Sequence, residues 1–254
     1  MSFIELKNIN KIFHSETEEA YHALKNINLN IKSGDFITIV GGNGAGKSTL
    51  LNTLAGTISV DSGNILINGK DVTRTKEYER AAYISRVFQN PLDGTAPRMT
   101  IAENMALAIK RGEKRNLTSA IKKENLSFFE ESTRSLNLGL ENRLNTEIGL
   151  LSGGQRQAIS LLMATIKKPE LILLDEHTAA LDPKTQKNIM KLTDRIITKK
   201  SLTAFMITHY LQDALEYGNR LIVMHRGEII EDFTKEAKDK LNLSRLYEIL
   251  SELD

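Results

Sequence analysis

The sequence predicts an α/β fold built around a buried parallel sheet. Continuous apolar runs of strand length occupy residues 36–40, 171–174 and 221–224, and residues 203–208 form a further run of this kind. Such runs are typical of parallel strands that are buried on both faces. A glycine-rich turn follows the first run and leads into a helical segment at residues 47–55, which predicts a strand–loop–helix unit.

Shorter segments are predicted on either side of this sheet. Residues 2–32 alternate between apolar and polar positions, which predicts an antiparallel sheet at the N-terminus. Residues 60–70 read as a hairpin that turns at Asn68-Gly69, and residues 83–88 as another strand. Residues 241–253 have the pattern of a closing helix.

The middle of the chain has the character of a helical lobe. Thr100 followed by Glu103 is a capping box that opens a helix, and residues 117–137 again have helical periodicity. We therefore predict a single domain in which this lobe is inserted into the α/β part. The predicted boundaries are residues 1–254 for the domain, residues 1–89 with 166–254 for the catalytic α/β lobe, and residues 90–165 for the helical lobe.

Charge and residue usage exclude several classes of protein. Lys and Arg number 34 and Asp and Glu number 32, so the formal net charge of +2 is too balanced to indicate a nucleic-acid partner. The absence of cysteine excludes disulfides, thiolate metal sites and cysteine catalysis. We recognise no signal peptide, and no apolar run reaches the roughly 18–20 residues needed to span a bilayer. A role at a membrane is therefore expected to depend on a partner protein.

A phosphate-binding loop is predicted between the first apolar strand and the helix that follows it. Its residues are Gly41, Gly42, Asn43, Gly44, Ala45, Gly46, Lys47, Ser48 and Thr49. Glycines let backbone N–H groups converge on phosphate oxygens, and the helix N-terminus adds a favourable dipole. In this motif Lys47 contacts the β- and γ-phosphates, and Ser48 is a ligand of Mg²⁺. The alternative is a glycine-rich turn that binds nothing, which the full match between strand and helix disfavours.

Two adjacent carboxylates follow the apolar run at residues 171–174. A buried strand that ends in a carboxylate would place Asp175 beside the hydration shell of Mg²⁺. Glu176 would then orient and polarise the attacking water. Alone, such a pair could equally be a solvent-facing cap, but after a phosphate-binding loop it indicates a hydrolytic site.

The pentapeptide Leu151-Ser152-Gly153-Gly154-Gln155 decides the class of protein. Ser152 and Gln155 have capping-box spacing, so the motif opens a helix whose N-terminus can face a phosphate. With this motif, the chain resembles an ABC-transporter nucleotide-binding subunit over nearly its whole length. The resemblance implies a P-loop NTPase fold with a RecA-like core, of ABC ATPase type, and ATP and Mg²⁺ as cofactors.

The resemblance also implies a role for several single residues. Gln89 matches the glutamine that senses Mg²⁺ and couples to the permease, and Asp182 lies in the Ala180-Leu181-Asp182 segment that matches the D-loop. His209 matches the switch histidine that contacts the γ-phosphate. Phe13 falls where the family stacks an aromatic ring on adenine, and Tyr21 is the alternative for this role. The other interpretation of Phe13 is a packing residue in the core of the N-terminal sheet. The implied catalytic set is Lys47, Gln89, Glu176 and His209; the implied metal set is Ser48, Gln89 and Asp175.

Two departures from the family pattern make the chain resemble one subgroup of the family in particular. His177 stands where the family usually has proline after the catalytic glutamate, and we interpret it as a turn residue. Residues 157–165, after the signature, lack the second arginine of many members, although Arg156 is present. This combination is similar to a bacterial subgroup of importer ATPases paired with lipoprotein substrate receptors, some of which are linked to aromatic amino acids such as tryptophan.

The resemblance thus implies an ATPase that powers a separate membrane permease. Two copies would form a head-to-tail dimer, with Lys47 of one chain and Ser152 of the other on the same ATP. The expected partners are permease subunits and, indirectly, an extracytoplasmic substrate-binding protein, which puts the chain at the cytoplasmic face of the membrane. The alternatives are an export ATPase, a soluble ABC ATPase in DNA repair or translation, and a non-hydrolysing scaffold. The intact Lys47, Asp175, Glu176 and His209 argue against the scaffold.

Overall fold

The structure, a computed structural model, describes residues 3–16, 19–113, 121 and 123–253. The chain divides into two compact units, Met1–Arg80 with Ser201–Asp254, and Ala81–Lys200. We refer to them as the first and the second unit. The sequence predicts a different kind of division, into a catalytic α/β lobe and a helical lobe at residues 90–165. That division rests on expected function and not on compactness, so it stays a prediction.

The described residues form strands and helices with the following bounds. The strands are β1 Ile4–Phe13, β2 Tyr21–Ile31, β3 Phe36–Val40, β4 Ser62–Ile67, β5 Lys70–Asp71, β6 Ile84–Val87, β7 Leu171–Asp175, β8 Thr203–Ile207, β9 Arg220–His225 and β10 Glu228–Phe233. The helices are α1 Lys47–Ala55, α2 Glu77–Arg80, α3 Ile101–Ile109, α4 Lys123–Arg134, α5 Gly153–Thr165, α6 Pro183–Lys200, α7 Leu211–Glu216, α8 Lys235–Lys238 and α9 Leu243–Ser251.

An antiparallel sheet forms the N-terminal part of the first unit, in the order β2-β1-β4-β5. Ile4 of β1 pairs with Ile31 of β2 on one side and with Ile67 of β4 on the other. All three side chains are buried, so the alternation of apolar and polar residues directs one face of this sheet inward. Strands β4 and β5 form the hairpin predicted around Asn68-Gly69, and Asn68 has a φ of 51°.

Parallel strands form the other sheet of the first unit. Strand β3 lies between β8 and β9 and pairs with both in parallel, while β10 pairs antiparallel with β9. Every residue of β3 is buried, as its unbroken apolar sequence predicts. Helices α7 and α9 pack against this sheet through a core cluster that includes Ala214, Val223 and Leu246. The predicted α/β fold with an N-terminal antiparallel part is therefore confirmed.

The second unit contains helices α3, α4, α5 and α6 together with the parallel pair β6 and β7. Thr100 caps α3 with the reciprocal bonds of a capping box, as its spacing with Glu103 predicts. Helix α5 contacts α3, α4, α6 and β6 and so forms the centre of this unit.

Several elements differ from the sequence-based expectation. The helix predicted over residues 117–137 is described from Lys123 to Arg134, while Ile121 lies outside any helix and residues 117–120 and 122 lie outside the described residues. Helices α2, α6, α7 and α8 and strand β10 were not predicted. Helix α6 has an apolar face, with Ile189, Met190 and Ile197 buried, which was overlooked among its many charged and polar positions. Strand β10 is rich in charged residues and has little apolar alternation. No helix within the described ranges is long and apolar enough to cross a membrane.

Arg80 fixes the C-terminal end of α1, the helix that follows the glycine-rich loop. Its guanidinium is 2% exposed and donates to the carbonyl oxygens of Thr53 at 2.7 Å and Leu54 at 2.8 Å. The same group donates to the backbone of Val72, Thr73 and Thr75. A cation at the end of a helix interacts favourably with its dipole and satisfies carbonyls that lack partners within the helix.

We expect Arg80→Met to destabilise the protein by at least about 3 kcal/mol, because five backbone carbonyl oxygens each lose a hydrogen bond from the buried guanidinium. Guanidinium unfolding monitored by circular dichroism measures this change. The control is Arg74→Met, at an exposed arginine of the same unit, which should shift stability by no more than about 0.5 kcal/mol. Equal stability of the two variants would show that the buried guanidinium does not hold α1.

Candidate functional site

The glycine-rich loop between β3 and α1 has a backbone that only glycine can form. Gly41 has a φ of 151°, and a Cβ there would lie 2.1 Å from the carbonyl oxygen of Met224. Gly46 has a φ of 97°, and a Cβ there would lie 2.5 Å from the carbonyl oxygen of Ala23. The loop is therefore pressed against neighbouring backbone on two sides and cannot carry larger residues at these positions.

Lys47 is buried at the first position of α1, with 6% of its surface exposed. Its ammonium group donates to the carbonyl oxygens of Gly41 at 2.7 Å and Gly42 at 2.8 Å, so the loop curves around the cation. Ser48 is exposed beside it. A cation within a narrow glycine loop at a helix N-terminus has the charge, dipole and shape that a phosphate group requires.

A cavity of about 340 Å³ in the first unit adjoins this loop. Gly41 and Gly42 line it together with His209, the exposed residue two positions after β8. The structure thus brings the predicted switch histidine to the phosphate loop. Tyr247 and Leu250 of α9 also line the cavity, and sequence reasoning did not assign them to the site. The amphipathic pattern of α9 predicted a helix but not its position.

The two candidates for the adenine platform are cross-strand partners, since Phe13 of β1 pairs with Tyr21 of β2. The ammonium group of Lys11 lies 5.5 Å from the ring centroid of Phe13, within the range of a cation–π contact. Tyr21 is 45% exposed, and its hydroxyl donates to the carbonyl oxygen of Gly44 in the phosphate loop. Tyr21 therefore touches the loop directly.

The two predicted acidic residues lie in the second unit, at the end of β7. Asp175 is the last residue of this strand, and its Oδ2 atom lies 2.5 Å from Nη2 of Arg86 on the neighbouring strand β6. Glu176 has a φ of 47°, a left-handed conformation that is uncommon outside glycine. The chain thus turns sharply after the buried strand, which keeps both carboxylates at its end.

The signature segment opens α5 with a capping box, as its sequence predicts. The Ser152 hydroxyl accepts from the backbone N–H of Gln155 at 3.3 Å, and the Gln155 side chain accepts from the N–H of Ser152 at 3.2 Å. A Cβ on Gly154 would lie 2.3 Å from the Thr185 methyl group, so this glycine permits close packing against α6. Arg156 donates to carbonyl oxygens of the preceding turn, at Ile148, Gly149 and Leu151.

The remaining predicted residues also lie in the second unit. Asp182 precedes α6 and accepts from the backbone N–H of Thr185 at 3.1 Å, and hydrogen bonds from the Thr185 side chain and backbone lower the pKa of Asp182. Gln89 is exposed two residues after β6. The Gln157 side chain of α5 donates to the carbonyl oxygen of Phe88 at 3.4 Å, so the signature helix contacts the residue before Gln89.

Comparison with protein families identifies the family of the chain. The model of the family described as ABC transporter matches residues 24–179, which include the phosphate loop, the signature and the two carboxylates. The chain belongs to the ABC transporter family.

Relatives of known name match this ABC protein over nearly its whole length. It is 40% identical to the tyrosine transport ATP-binding protein of Clostridioides difficile (strain R20291), over 96% of this chain and 97% of that protein. It is 34% identical to an ABC transporter ATP-binding protein of Bacillus subtilis (strain 168), over 99% of this chain and 95% of the relative. The chain is therefore an ATP-binding subunit of an ABC transporter.

Solved structures of ABC cassettes have the same fold. A dimeric ATP-binding cassette in a post-hydrolysis state with ADP and Pi matches with a TM-score of 0.76 and 32% identity, over 91% of this chain and 98% of that one. The ADP conformation of another cassette matches with a TM-score of 0.79 and 28% identity, over 100% and 98%. The predicted ABC ATPase fold is confirmed.

His177, which replaces the proline usual in ABC proteins, is a buried core residue. Its ring is 2% exposed, and Nε2 lies 2.9 Å from the Thr193 hydroxyl of α6. Burial lowers the pKa of His177 from its usual 6.5 to about 4. The interpretation as a turn residue misses this contact, because nothing in the local sequence indicates that α6 covers the ring.

We expect His177 to make the ABC protein sensitive to acid. Because the folded pKa is the lower one, the unfolded chain binds a proton between pH 6.5 and about 4 that the folded chain does not. Stability therefore falls as pH drops through this window, by on the order of 3 kcal/mol in total. In His177→Gln this loss should disappear.

Urea unfolding at pH 7, 6, 5 and 4 measures the effect. His14→Gln, at an exposed histidine, is the control and should retain the wild-type slope. An identical pH dependence in His177→Gln and wild type would show that the buried ring does not cause the acid sensitivity.

Proposed function

We propose that this chain hydrolyses ATP to drive import through a separate membrane permease. The observation that carries the proposal is the combination of Lys47, buried in a loop that admits only glycine at two positions, with Asp175 and Glu176 at the end of a buried strand. These groups supply a phosphate cation, a metal ligand and a base for water. A relative that is 34% identical is named as a phosphonates import ATP-binding protein, which favours import over export.

The residues suit MgATP in their chemistry. Ser48, Asp175 and Gln89 offer the oxygen ligands that Mg²⁺ prefers, and the ion would neutralise charge on the β- and γ-phosphates. Glu176 orients a water and accepts its proton as the water oxygen attacks the γ-phosphorus. The bond from that phosphorus to the bridging oxygen breaks, and ADP leaves. Lys47 and His209 hold the charge that develops on the phosphoryl oxygens.

Two copies of the chain would complete each site. At the N-terminus of α5, Ser152 and Gly153 are exposed, and Gly154 and Gln155 are half-buried. The two glycines carry no side chain, so backbone N–H groups at this helix N-terminus would be open to a phosphate supplied from a partner chain. Solved relatives that share the fold form dimeric cassettes, which supports this arrangement. Asp182 would lie at the same interface. ATP binding would then close the dimer, and hydrolysis would open it.

Phe13 is the proposed adenine platform, and Tyr21 is its alternative. A flat ring at the end of β1 can stack on a base whatever its hydrogen-bonding pattern. Lys11 packs on the Phe13 ring and would hold its orientation. Tyr21 already donates to the phosphate loop, so it is better placed to hold Gly44 than to receive the base.

The transported compound is proposed to be an amino acid, with an aromatic one such as tyrosine or tryptophan favoured. The relative with 40% identity is named for tyrosine transport, and the two chains match over nearly their whole lengths. The helical lobe at residues 90–165 would receive the permease at the cytoplasmic face of the membrane. An extracytoplasmic substrate-binding protein would deliver the cargo to the permease.

We expect Glu176→Gln to bind ATP with an affinity close to that of the wild type and to lose at least about 100-fold in turnover, because the amide cannot accept the proton of water. Phosphate release under steady state and fluorescent nucleotide titration measure the two quantities. Gel filtration with ATP should show accumulated dimers. The matched control is Glu131→Gln, at an exposed glutamate of the same unit, which should turn over normally. Near-normal hydrolysis by Glu176→Gln would contradict the proposed function.

The composite site can be tested by complementation. Lys47→Ala and Ser152→Arg should each inactivate both sites of their own homodimers. A mixed dimer of the two variants has one doubly damaged site and one with wild-type Lys47 and Ser152, so it should regain part of the ATPase rate. A dimer of wild type with Lys47→Ala is the control. If this control is active while the complementing pair is inactive, the two residues do not serve one ATP across chains.

A further inference from the structure

Arg86 makes an ion pair with the predicted metal ligand, and no motif of the site includes it. Its Nη2 atom lies 2.5 Å from Oδ2 of Asp175, and both side chains are about one-sixth exposed, at 17% and 16%. The pair joins neighbouring strands, since Val87 and Leu174 are register partners immediately beside it. An ion pair of this length and burial is a strong contact for the carboxylate.

The arginine is held in place from a second side. Its guanidinium carbon lies 4.7 Å from the ring centroid of Phe88, which is a cation–π geometry. Phe88 directly precedes Gln89, and its carbonyl oxygen accepts from Gln157 of the signature helix. The planar guanidinium is thus oriented by an aromatic ring while it bonds the carboxylate, a combination that lysine cannot reproduce.

We propose that Arg86 is a positioning residue that competes with Mg²⁺ for the Asp175 carboxylate. The inference rests on the proposed function, because it requires Asp175 to serve the metal. A positive charge on Oδ2 offsets part of the negative charge that attracts the ion, so it weakens Mg²⁺ binding. It also keeps a mostly buried carboxylate compensated whenever the metal is away. Arg86 therefore raises the Mg²⁺ concentration that the site requires.

The test is a titration of the full chain with Mg²⁺ in the presence of a fluorescent ADP derivative. The measured quantity is the Mg²⁺ concentration at the half-maximal change in fluorescence. We expect Arg86→Met to lower it roughly three- to tenfold, the range for removal of a partly buried charge. Arg86→Gln carries the same expectation and serves if the methionine variant does not fold. Arg98→Met, at an exposed arginine of the same unit, should match the wild type.

Damage to the fold would weaken Mg²⁺ binding. A gain in Mg²⁺ affinity in the Arg86 variants therefore indicates competition and not a merely structural role. Nucleotide affinity in EDTA should stay within about twofold of the wild type in both Arg86 variants, because the competition requires metal. An unchanged or higher Mg²⁺ requirement in both variants overturns the inference. Asp175→Asn tests the metal role of Asp175 separately from the competition by Arg86. If this variant has the same Mg²⁺ requirement as the wild type, the proposed metal role of Asp175 is wrong.

Discussion

The contact of the phosphate loop with neighbouring backbone is the constraint on which the rest of the structure depends. Gly41 and Gly46 approach the carbonyl oxygens of Met224 and Ala23, and those residues belong to the two sheets of the first unit. The loop can take its shape only if both sheets are in place behind it. The ammonium of Lys47 then stabilises the curved backbone through the carbonyl oxygens of the loop. Global folding and the geometry of one loop are thus coupled.

The proposed phosphate-binding cation and the proposed metal ligand are held by different kinds of contact. Lys47 is buried and donates to the carbonyl oxygens of Gly41 and Gly42. Asp175 instead has a full positive charge against it, from Arg86. A nucleotide with its metal would have to replace a carbonyl contact at the first position and offset an ion pair at the second. We therefore expect substitutions of Arg86 to act on the proposed metal site and not on the contacts of Lys47.

The sequence was most informative where the local pattern itself dictates geometry. The loop and the bounds of α1 follow from glycine positions, and the caps at Thr100 and Ser152 follow from a spacing of three residues. Contacts between distant residues could not be predicted, because they depend on packing. Arg86 and Asp175 are 89 positions apart. His177 contacts Thr193 of α6, and a helical pattern does not indicate which distant residue its buried face will cover.

The guanidinium of Arg80, which bonds the last turn of α1, has a consequence for ligand binding at the other end of this helix. The helix is fixed at its C-terminal end by that guanidinium and at its N-terminal end by the glycine contacts, so it cannot slide along its axis when a ligand arrives. The phosphate-binding end is thus preorganised, and little conformational entropy remains to be lost there on association.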